Sequence, residues 1–429
     1  MTELIIPAEA SPMGRLRVGP LDRFARGVFL KLLGGIERGR VHLVDGAERH
    51  SFGRSTARYP LEATITVRHR RFYGESLFGG TIGAAEAYMS GLWTTDDLTA
   101  VVRIFTLHPE LFGSMDKGFA RLMAPLYQAF HAARKNTRTG SRRNIVAHYD
   151  LGNEFYRLFL DDTLTYSCGI FEREESSLRE ASVAKYERIC RKLALSPADH
   201  VLEIGTGWGG FAIHAAGRYG CRVTTTTISD RQHELAAERI AAAGLADRVT
   251  LLKTDYRDLT GTFDKLVSIE MIEAVGHQFL DDFFRVCGRR LKPDGQMLLQ
   301  AITIQDQAYE RQARQVDFIK RYIFPGSCIP SVTAIAGSAT RASDLRIAHL
   351  EDLTPHYART LRSWRENFFA NIDRVRALGF PERFIRMWEF YLCYCEGGFA
   401  ERYLGDVQIL LTKPLCRRPP ILPPLPVPA

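Results

Sequence analysis

Apolar and polar residues alternate in regular blocks through the middle of the chain, from about residue 200 to residue 304. Short apolar stretches predict strands, and the segments between them have the Ala, Glu, Arg and Leu content of helices. The predicted strands begin at His200 and span 221–228, 248–253, 265–269 and 296–303, and the predicted helices span 211–219, 230–243 and 278–291, with a turn at 292–295. This alternation predicts an α/β fold with a doubly wound sheet and helices on both faces.

The part of the chain before about residue 140 lacks this alternation. It mixes short alternating stretches, such as 63–68, with helical ones, and Asp97 marks the start of a helix. We expect a separate, smaller α+β domain over residues 1–130. The basic stretch 132–143 is expected to form a linker or an amphipathic helix, and the proline-rich stretch 414–429 is expected to be extended or disordered.

A glycine-spaced turn follows the first predicted strand. Glu203 ends the strand, and the turn contains Gly205, Gly207 and Gly209. Glycine has no Cβ, so the backbone can pass close to a ligand, and in open α/β sheets ligands bind at the carboxyl ends of the strands. The spacing differs from the Gly-x-Gly-x-x-Gly of dinucleotide-binding proteins. An acidic residue ahead of the glycines fits S-adenosylmethionine (SAM), whose cationic amino-acid end needs carboxylate partners, although a plain strand–turn–helix corner could also contain these glycines.

Polar residues follow the other predicted strands at the same edge of the sheet. Thr227 and Gln232 come after the second strand, residues 254–256 after the third, and Glu270 and Glu273 after the fourth. We therefore expect SAM to lie over the three glycines, close to the acidic residue before them and to Thr227 and Gln232. The pattern favours a SAM-dependent transferase over a dehydrogenase.

The composition limits the possible partners. A net charge of +8 suits phospholipid head groups or nucleic acid, although a merely basic soluble protein has the same charge. The eight cysteines include no Cys-x-x-Cys pair, so we expect free thiols and no metal site. We recognise no signal peptide and no apolar run of the roughly 20 residues that span a bilayer. We expect a cytoplasmic protein with peripheral contact to anionic lipid at the inner face of the cytoplasmic membrane, and we leave open a homodimer.

Several sequence blocks resemble the cyclopropane-fatty-acyl-phospholipid synthases and the related mycolic acid cyclopropane synthases and methyltransferases. They follow one another in the family's order over residues 140–413, and the stretch 79–98 resembles the family's N-terminal domain more loosely. The blocks are 148–156 with 164–171, then 203–209, 271–276, 317–326 and 391–399. The resemblance implies a SAM-dependent methyltransferase domain over residues 131–413 and lipid or membrane association for residues 1–130.

The resemblance also implies a reaction. A cis double bond in an unsaturated phospholipid acyl chain attacks the methyl carbon of SAM, and loss of a proton from the transferred methyl then closes a cyclopropane ring. The site must align the methyl group, exclude water and supply a base. The resemblance implies a bound bicarbonate as that base. Glu273 would accept the proton of bicarbonate, while the Cys168 backbone and the Tyr357 hydroxyl donate to its oxygens. Tyr166 and Ser167 are expected to fold over SAM.

Gln300, in the fifth predicted strand, stands where many members of the family have histidine. Glutamine can donate to an anion but cannot hold a proton. We expect its amide NH₂ to face the base while its carbonyl oxygen finds another donor. Ring closure is the preferred outcome, and a methyl- or methylene-branched acyl chain from the same carbocation is the alternative.

Some residues have a structural interpretation beside the functional one. Either Glu270 or Glu273 could be a first-turn carboxylate that a helix dipole stabilises. Glu396 lies in an aromatic-rich helix and is interpreted as a core residue paired with an arginine, although a lipid channel would also use those aromatics. Two histidines near helix ends are interpreted as structural: His148 and His277.

The insertion between Ile304 and Ala348 is expected to build part of a hydrophobic acyl tunnel, since it contains Phe318 and Phe324, with an ordinary packed helix as the alternative. Two rival function classes remain. The basic charge suggests a nucleic-acid methyltransferase, but the Asn/Asp-Pro-Pro-aromatic motif of such enzymes is absent from the sequence. A non-catalytic lipid-binding scaffold would not need the glycine turn.

Overall fold

The computed structural model describes residues 20–111 and 151–421, so the basic stretch 132–143 and His148 lie outside it. The chain divides into two compact units. Of the described residues, the first unit comprises 20–111, 314–325 and 358–404, and the second comprises 151–313, 326–357 and 405–421. Two stretches that the sequence assigned to the methyltransferase domain thus group with the N-terminal part of the chain.

The helices and strands are numbered along the chain. The N-terminal elements are α1 (Pro20–Leu33), β1 (Gly39–Asp45), β2 (Glu48–Arg54), β3 (Glu62–Val67), α2 (Arg71–Met89), β4 (Trp93–Thr95) and α3 (Leu98–Thr106). The central elements are α4 (Asn153–Arg157), α5 (Leu178–Leu193), β5 (His200–Ile204), α6 (Gly210–Tyr219), β6 (Arg222–Thr226), α7 (Asp230–Ala242), β7 (Val249–Leu252), β8 (Phe263–Ile269), α8 (Leu280–Arg290) and β9 (Leu291–Ile304). The remaining elements are α9 (Asp306–Arg314), α10 (Val332–Ala342), β10 (Arg346–Asp352), α11 (Thr354–Ala370), α12 (Ile372–Ala377), α13 (Glu382–Ala400) and β11 (Leu404–Thr412).

The first unit contains a four-stranded sheet with the strand order β2-β1-β3-β4. β1 pairs in parallel with β3 and antiparallel with β2. Alternate residues of β1 and β3 are buried, as the pattern of 63–68 predicts. Asp97 caps α3 by accepting from the backbone N–H of Ala100, which confirms the predicted start of that helix.

The second unit contains a seven-stranded sheet with the strand order β10-β11-β9-β8-β5-β6-β7. The predicted strands are β5 to β9, which pair in parallel. The hydrophobic core consists of two separate buried clusters, one with Phe211 of α6 and the other with Phe283 of α8. The doubly wound α/β fold is therefore confirmed. The chain runs outward from β5 to β7 and returns to β8, so the strand order reverses between β5 and β8. In open sheets the ligand crevice lies at the carboxyl ends of the strands at such a reversal.

One local prediction differs from the structure. The turn predicted at 292–295 is a bulge within β9. Leu291 pairs with Phe263 and Gln296 pairs with Lys265, so the four residues 292–295 lie opposite the single residue Asp264. The tail was expected to be extended or disordered, and its described part, 414–421, forms no helix or strand. Cys416 is buried there, and Arg418 donates to Oε1 of Gln296 at 3.0 Å, which ties this stretch to β9. Residues 422–429 lie outside the described part.

None of the helices in the described parts of the chain has the length and apolar content that crossing a bilayer requires.

Candidate active site

The glycine turn after β5 has a backbone that only glycine adopts readily. Gly205, Gly207 and Gly209 have positive φ angles of 106°, 53° and 86°. The N–H groups of Gly205 and Thr206 both donate to the carbonyl oxygen of Thr226 at 3.1 Å, which fixes the turn to β6. The turn therefore needs glycine for its own conformation.

Glu203, at the end of β5, is buried beside hydroxyl groups. Its Oε2 accepts from the Thr225 hydroxyl at 2.6 Å, and the hydroxyl oxygens of Thr225 and Thr206 are 2.7 Å apart. Burial raises the pKa of Glu203 to about 8. This chain of hydrogen bonds connects the carboxyl group to the glycine turn, so Glu203 positions the turn. Its expected contact with SAM stays a prediction.

Thr227 and Gln232 lie side by side where β6 leads into α7. The Thr227 hydroxyl donates to Oε1 of Gln232 at 2.9 Å, and both side chains are buried. Ser229 caps α7 by accepting from the backbone N–H of Gln232. The two residues expected near SAM are thus held together at the carboxyl edge of the sheet.

Tyr166 packs against a ring that contacts the glycine turn, and the neighbouring Ser167 bonds to a buried lysine. The ring of Tyr166 packs against Tyr156 at 5.4 Å between centroids, and Tyr156 packs against Trp208 of the turn at 5.0 Å. The hydroxyl of Ser167 accepts from Nζ of the buried Lys185 at 2.7 Å. This packing supports the expectation that Tyr166 and Ser167 lie beside SAM.

Glu270, just after β8, is the centre of the site. Its Oε1 accepts from the backbone N–H of Cys168 and from Nε2 of Gln300, each at 2.8 Å. Its Oε2 accepts from the Tyr357 hydroxyl at 2.6 Å. Three of the four predicted catalytic residues therefore converge on a carboxylate of the chain itself. The sequence suggested only a first-turn carboxylate for Glu270, so it missed this role.

Cys168 contributes its backbone N–H rather than its thiol. Its Sγ donates to the carbonyl oxygen of Gly169 at 3.2 Å. Complete burial raises the pKa of the Cys168 thiol well above its usual range, so the thiol stays protonated. A nucleophilic role for this cysteine does not follow from such a setting.

Glu273, the fourth predicted catalytic residue, is also buried. Its Oε1 accepts from the backbone N–H of Ile302 at 2.5 Å, and its Oε2 has no hydrogen-bond partner among the described residues. Burial, followed by the charge of Glu270, raises the pKa of Glu273 to about 8. At neutral pH the carboxyl group is largely protonated, with one oxygen available to another group in the site.

A chain of buried side chains orients the amide of Gln300. Nζ of Lys192 donates to Oε1 of Gln408 at 2.8 Å, and Nε2 of Gln408 donates to Oε1 of Gln300 at 3.0 Å. Because an ammonium group can only donate, this order directs the NH₂ of Gln300 to Glu270. The same NH₂ is 3.3 Å from Oδ2 of Asp406. The amide thus has the orientation that we expected, with Gln408 as the donor to its carbonyl oxygen.

Two further buried groups belong to the site and were not predicted. Burial, followed by the charges of Glu270 and Glu273, raises the pKa of Asp406 well above its usual range. Burial lowers the pKa of Lys185, against the effect of the nearby Glu270. Burial also raises the pKa of Glu270, but the hydrogen bond from Tyr357 and the charge of Lys185 oppose this. Because Glu270 has the stronger donors, Asp406 is the neutral carboxyl of the two.

Two interpretations concern residues of the first unit. Glu396 is buried and accepts from Arg362 and Arg365, each at 3.0 Å, so its structural interpretation is confirmed. Phe318 is completely buried, with its ring centroid 4.8 Å from that of Phe390. Phe318 is thus packed as in an ordinary core, and the acyl tunnel stays a prediction.

The two carboxyl groups with a pKa of about 8 predict how stability depends on pH. Glu203 and Glu273 are protonated in the folded chain between their ordinary value of 4.5 and about 8, whereas the unfolded chain has released these protons. Raising the pH through this window should therefore lower the free energy of unfolding, by at most about 1.4 kcal/mol per pH unit for each group. Thermal unfolding between pH 6 and pH 8 should show a falling Tm, with a shallower fall for Glu273→Gln. A Tm that rises over this interval would contradict the assignment.

The fold and the site define a class of protein. A parallel sheet with a glycine turn after β5, followed by Thr227 and Gln232 after β6, is the arrangement of Rossmann-like SAM-dependent methyltransferases. The structure of the mycolic acid cyclopropane synthase CmaA1, complexed with SAH and CTAB, superposes with a TM-score of 0.60 at 34% identity. The match covers 63% of this chain and 98% of that one.

The chain belongs to the mycolic acid cyclopropane synthetase family, whose sequence profile matches residues 136–409. It is 39% identical to the tuberculostearic acid methyltransferase UfaA1 of Mycobacterium tuberculosis over 345 residues, or 78% of this chain and 79% of the relative. It is 36% identical to the cyclopropane-fatty-acyl-phospholipid synthase of Escherichia coli (strain K12) over 354 residues, or 82% of this chain and 88% of the relative. It is thus a SAM-dependent enzyme of the cyclopropane synthase type, as its sequence blocks imply.

Proposed function

We propose that this enzyme adds a methylene unit from SAM across the cis double bond of an unsaturated phospholipid acyl chain and thereby forms a cyclopropane ring. The observation that carries the proposal is the convergence of Cys168, Gln300 and Tyr357 on a buried carboxylate at the carboxyl edge of the sheet. The reaction needs a base that is shielded from water, and a buried carboxylate supplies one. The name of the Escherichia coli relative supports the substrate class.

The residues of the site have separate roles in the reaction. SAM, when bound, supplies an electrophilic methyl group on its sulfonium. The glycine turn, Thr227 and Gln232 hold the cofactor, and the segment with Tyr166 and Ser167 covers it and excludes water. The alkene bonds to the methyl carbon as the bond from that carbon to sulfur breaks, and the other carbon of the former double bond is left with a positive charge. The negative charge of Glu270 stabilises this cation in a site of low dielectric constant.

Bicarbonate does not fit among these residues as they stand. The donors that the resemblance assigns to it, the Cys168 N–H and the Tyr357 hydroxyl, already bond to Glu270. A second anion there would lie beside the negative charge of Glu270, and like charges in a buried site repel strongly. No step of the proposed reaction uses bicarbonate.

One observation favours a second product. The relative from Mycobacterium tuberculosis, at 39% identity, is named a tuberculostearic acid methyltransferase. A carbocation that shifts a hydride before it loses a proton gives a methylene-branched chain in place of the ring. The proposed methyl transfer is the same for both products, so the structure of the product has to distinguish them.

The methyl acceptor is tested with SAM that carries a labelled methyl group. The label should enter the acyl chains of cis-monounsaturated phospholipid vesicles and should not enter saturated phospholipid or DNA. Label in DNA would favour the nucleic-acid methyltransferase, and equal labelling of saturated lipid would reject the alkene as acceptor. A chain that fails to bind SAM in calorimetry would favour the lipid-binding scaffold.

We also propose that helix α1 contributes to peripheral membrane binding. Leu21 and Phe24 of α1 are 68% and 58% exposed, and Arg23 lies between them in the sequence. Exposed apolar side chains insert at the interface of a bilayer, and each basic residue near an anionic surface contributes about 1 kcal/mol. The double variant Leu21→Ser/Phe24→Ser should therefore bind anionic vesicles more weakly than the unmodified chain in a sedimentation assay.

Salt and a matched variant serve as controls for this prediction. Binding of the unmodified chain should fall as salt rises, because salt screens the electrostatic part. Leu378, which is 47% exposed in the first unit, provides the control variant Leu378→Ser, for which binding should stay the same. Undiminished binding of the double variant would remove α1 from the proposal, and equal binding to neutral and anionic vesicles would remove the electrostatic part.

A further inference from the structure

Glu270 occupies the position that the family resemblance gives to an external anion. The Cys168 N–H and the NH₂ of Gln300 are 2.8 Å from its Oε1, and the Tyr357 hydroxyl is 2.6 Å from its Oε2. These distances are typical of charge-assisted hydrogen bonds to an ionised carboxylate. A carboxylate and bicarbonate are both planar, and in both the negative charge is shared by two oxygens on one carbon. The same donors can therefore serve either group.

The backbone of Glu270 is strained at this position. Its φ angle of +46° lies in the left-handed region, which is strained for a residue other than glycine. Its backbone N–H donates to the carbonyl oxygen of Gln300 at 2.8 Å, which holds the conformation while the side chain reaches its donors. Glycine would adopt this backbone without strain. A carboxylate kept here in spite of the strain points to a use for the side chain.

The hydrogen bonds leave Glu270 able to accept a proton. Its Oε1 already accepts two hydrogen bonds, whereas Oε2 accepts only from Tyr357 among the described residues and retains a lone pair. The neighbouring Asp406 is neutral, since burial and the nearby carboxylates raise its pKa. Burial raises the pKa of Glu270 as well, but the hydrogen bond from Tyr357 and the charge of Lys185 oppose this. Glu270 accepts three hydrogen bonds at 2.6–2.8 Å, whereas Oδ1 of Asp406 has no partner among the described residues, so the negative charge of the cluster resides on Glu270.

We infer that Glu270 is the base of the reaction and takes the place of bicarbonate in this chain. The inference rests on the proposed function and deepens it. After methyl transfer, Oε2 of Glu270 removes a proton from the transferred methyl group. The electron pair of the broken C–H bond forms the last bond of the ring to the cationic carbon. The products are a neutral cyclopropane, S-adenosylhomocysteine and a protonated Glu270, which returns its proton to water after the product leaves.

The inference is first tested by binding, independently of any acyl substrate. Glu270→Gly should relieve the strained φ angle and free the donors of Cys168, Gln300 and Tyr357. In calorimetry with S-adenosylhomocysteine present, bicarbonate should bind to Glu270→Gly and give no signal with the unmodified chain. Equal binding of bicarbonate to both proteins would overturn the inference. The absence of binding to Glu270→Gly would also overturn it, because the donors would then not form an anion site.

Turnover in buffer depleted of carbon dioxide gives the second test. The unmodified enzyme should keep its turnover, whereas Glu270→Gly should lose about 10²–10⁴-fold, the usual contribution of a general base. Added bicarbonate should raise the turnover of Glu270→Gly at least tenfold. It should not change the turnover of Glu270→Gln, because the amide still fills the site. A tenfold fall in the unmodified enzyme on removal of bicarbonate would overturn the inference.

Controls separate this inference from the proposed function. SAM affinity close to normal in Glu270→Gly shows that the variant is folded, and Glu175→Gln, at an exposed carboxylate, should keep its turnover. If the unmodified chain methylates no unsaturated phospholipid, the proposed function fails. The bicarbonate titration still decides in that case whether Glu270 fills the anion site.

Discussion

Replacing Gly205 with valine is expected to abolish SAM binding while the chain still folds. The φ angle of Gly205 is +106°, which a β-branched residue does not adopt without strain, and an added Cβ would lie 3.3 Å from Cβ of Met271. The valine side chain would also occupy the space in which the cofactor approaches the backbone. Strain and lost contacts of about 3 kcal/mol weaken binding by roughly 100-fold or more, which calorimetry with SAM measures directly.

Gly244 provides the matched control for this variant. Its φ angle is also positive, at +67°, but no atom lies within 4 Å of an added Cβ, and it follows the far end of α7. Gly244→Val should therefore cost stability without changing the affinity for SAM. An unchanged affinity in Gly205→Val would show that the cofactor does not lie over this turn.

Glu273→Gln should reduce turnover by about 10²-fold or more and change the affinity for SAM by little. The amide keeps the shape of the carboxyl group, and its carbonyl oxygen can still accept from the N–H of Ile302, so the fold should hold. What the variant loses is the ability of the unpartnered Oε2 to carry a proton next to Glu270. Single-turnover assays and SAM calorimetry on the same protein separate the two effects.

Glu203→Gln is the informative comparison, because Glu203 is also buried and its pKa is also about 8. Its carboxyl group bonds to Thr225 and positions the glycine turn, so its loss should weaken SAM binding more than it slows the chemical step. Near-normal turnover in Glu273→Gln would mean that Glu273 is only a first-turn carboxylate.

The strands, the helices of the second unit and the glycine turn could be predicted because their signals are local. β5 to β9 appear as short apolar stretches, and the glycines mark a turn whose φ angles only they adopt readily. The orientation expected for Gln300 also followed from local chemistry, since an amide that donates to an anion must satisfy its own carbonyl oxygen.

The rest of the site depends on contacts between residues far apart in the chain. Asp406 and Gln408 reach the site because β11 lies beside β9 in the sheet, which no local pattern specifies. Lys185 and Lys192 are seven positions apart on a buried face of α5, and two lysines on an otherwise apolar face were a signal that could have been used. Glu270 was misjudged because its importance comes from the donors that the fold brings to it.

The structure of the lipid product shows whether this enzyme closes a cyclopropane ring. The chain is incubated with SAM and a cis-monounsaturated phospholipid, and the released acyl chains are analysed by mass spectrometry and proton NMR. Ring formation should give a gain of one CH₂, loss of the alkene signals and the upfield signals of a cyclopropane methylene group. A methylene- or methyl-branched chain without cyclopropane signals, or an unchanged acyl chain, would contradict it.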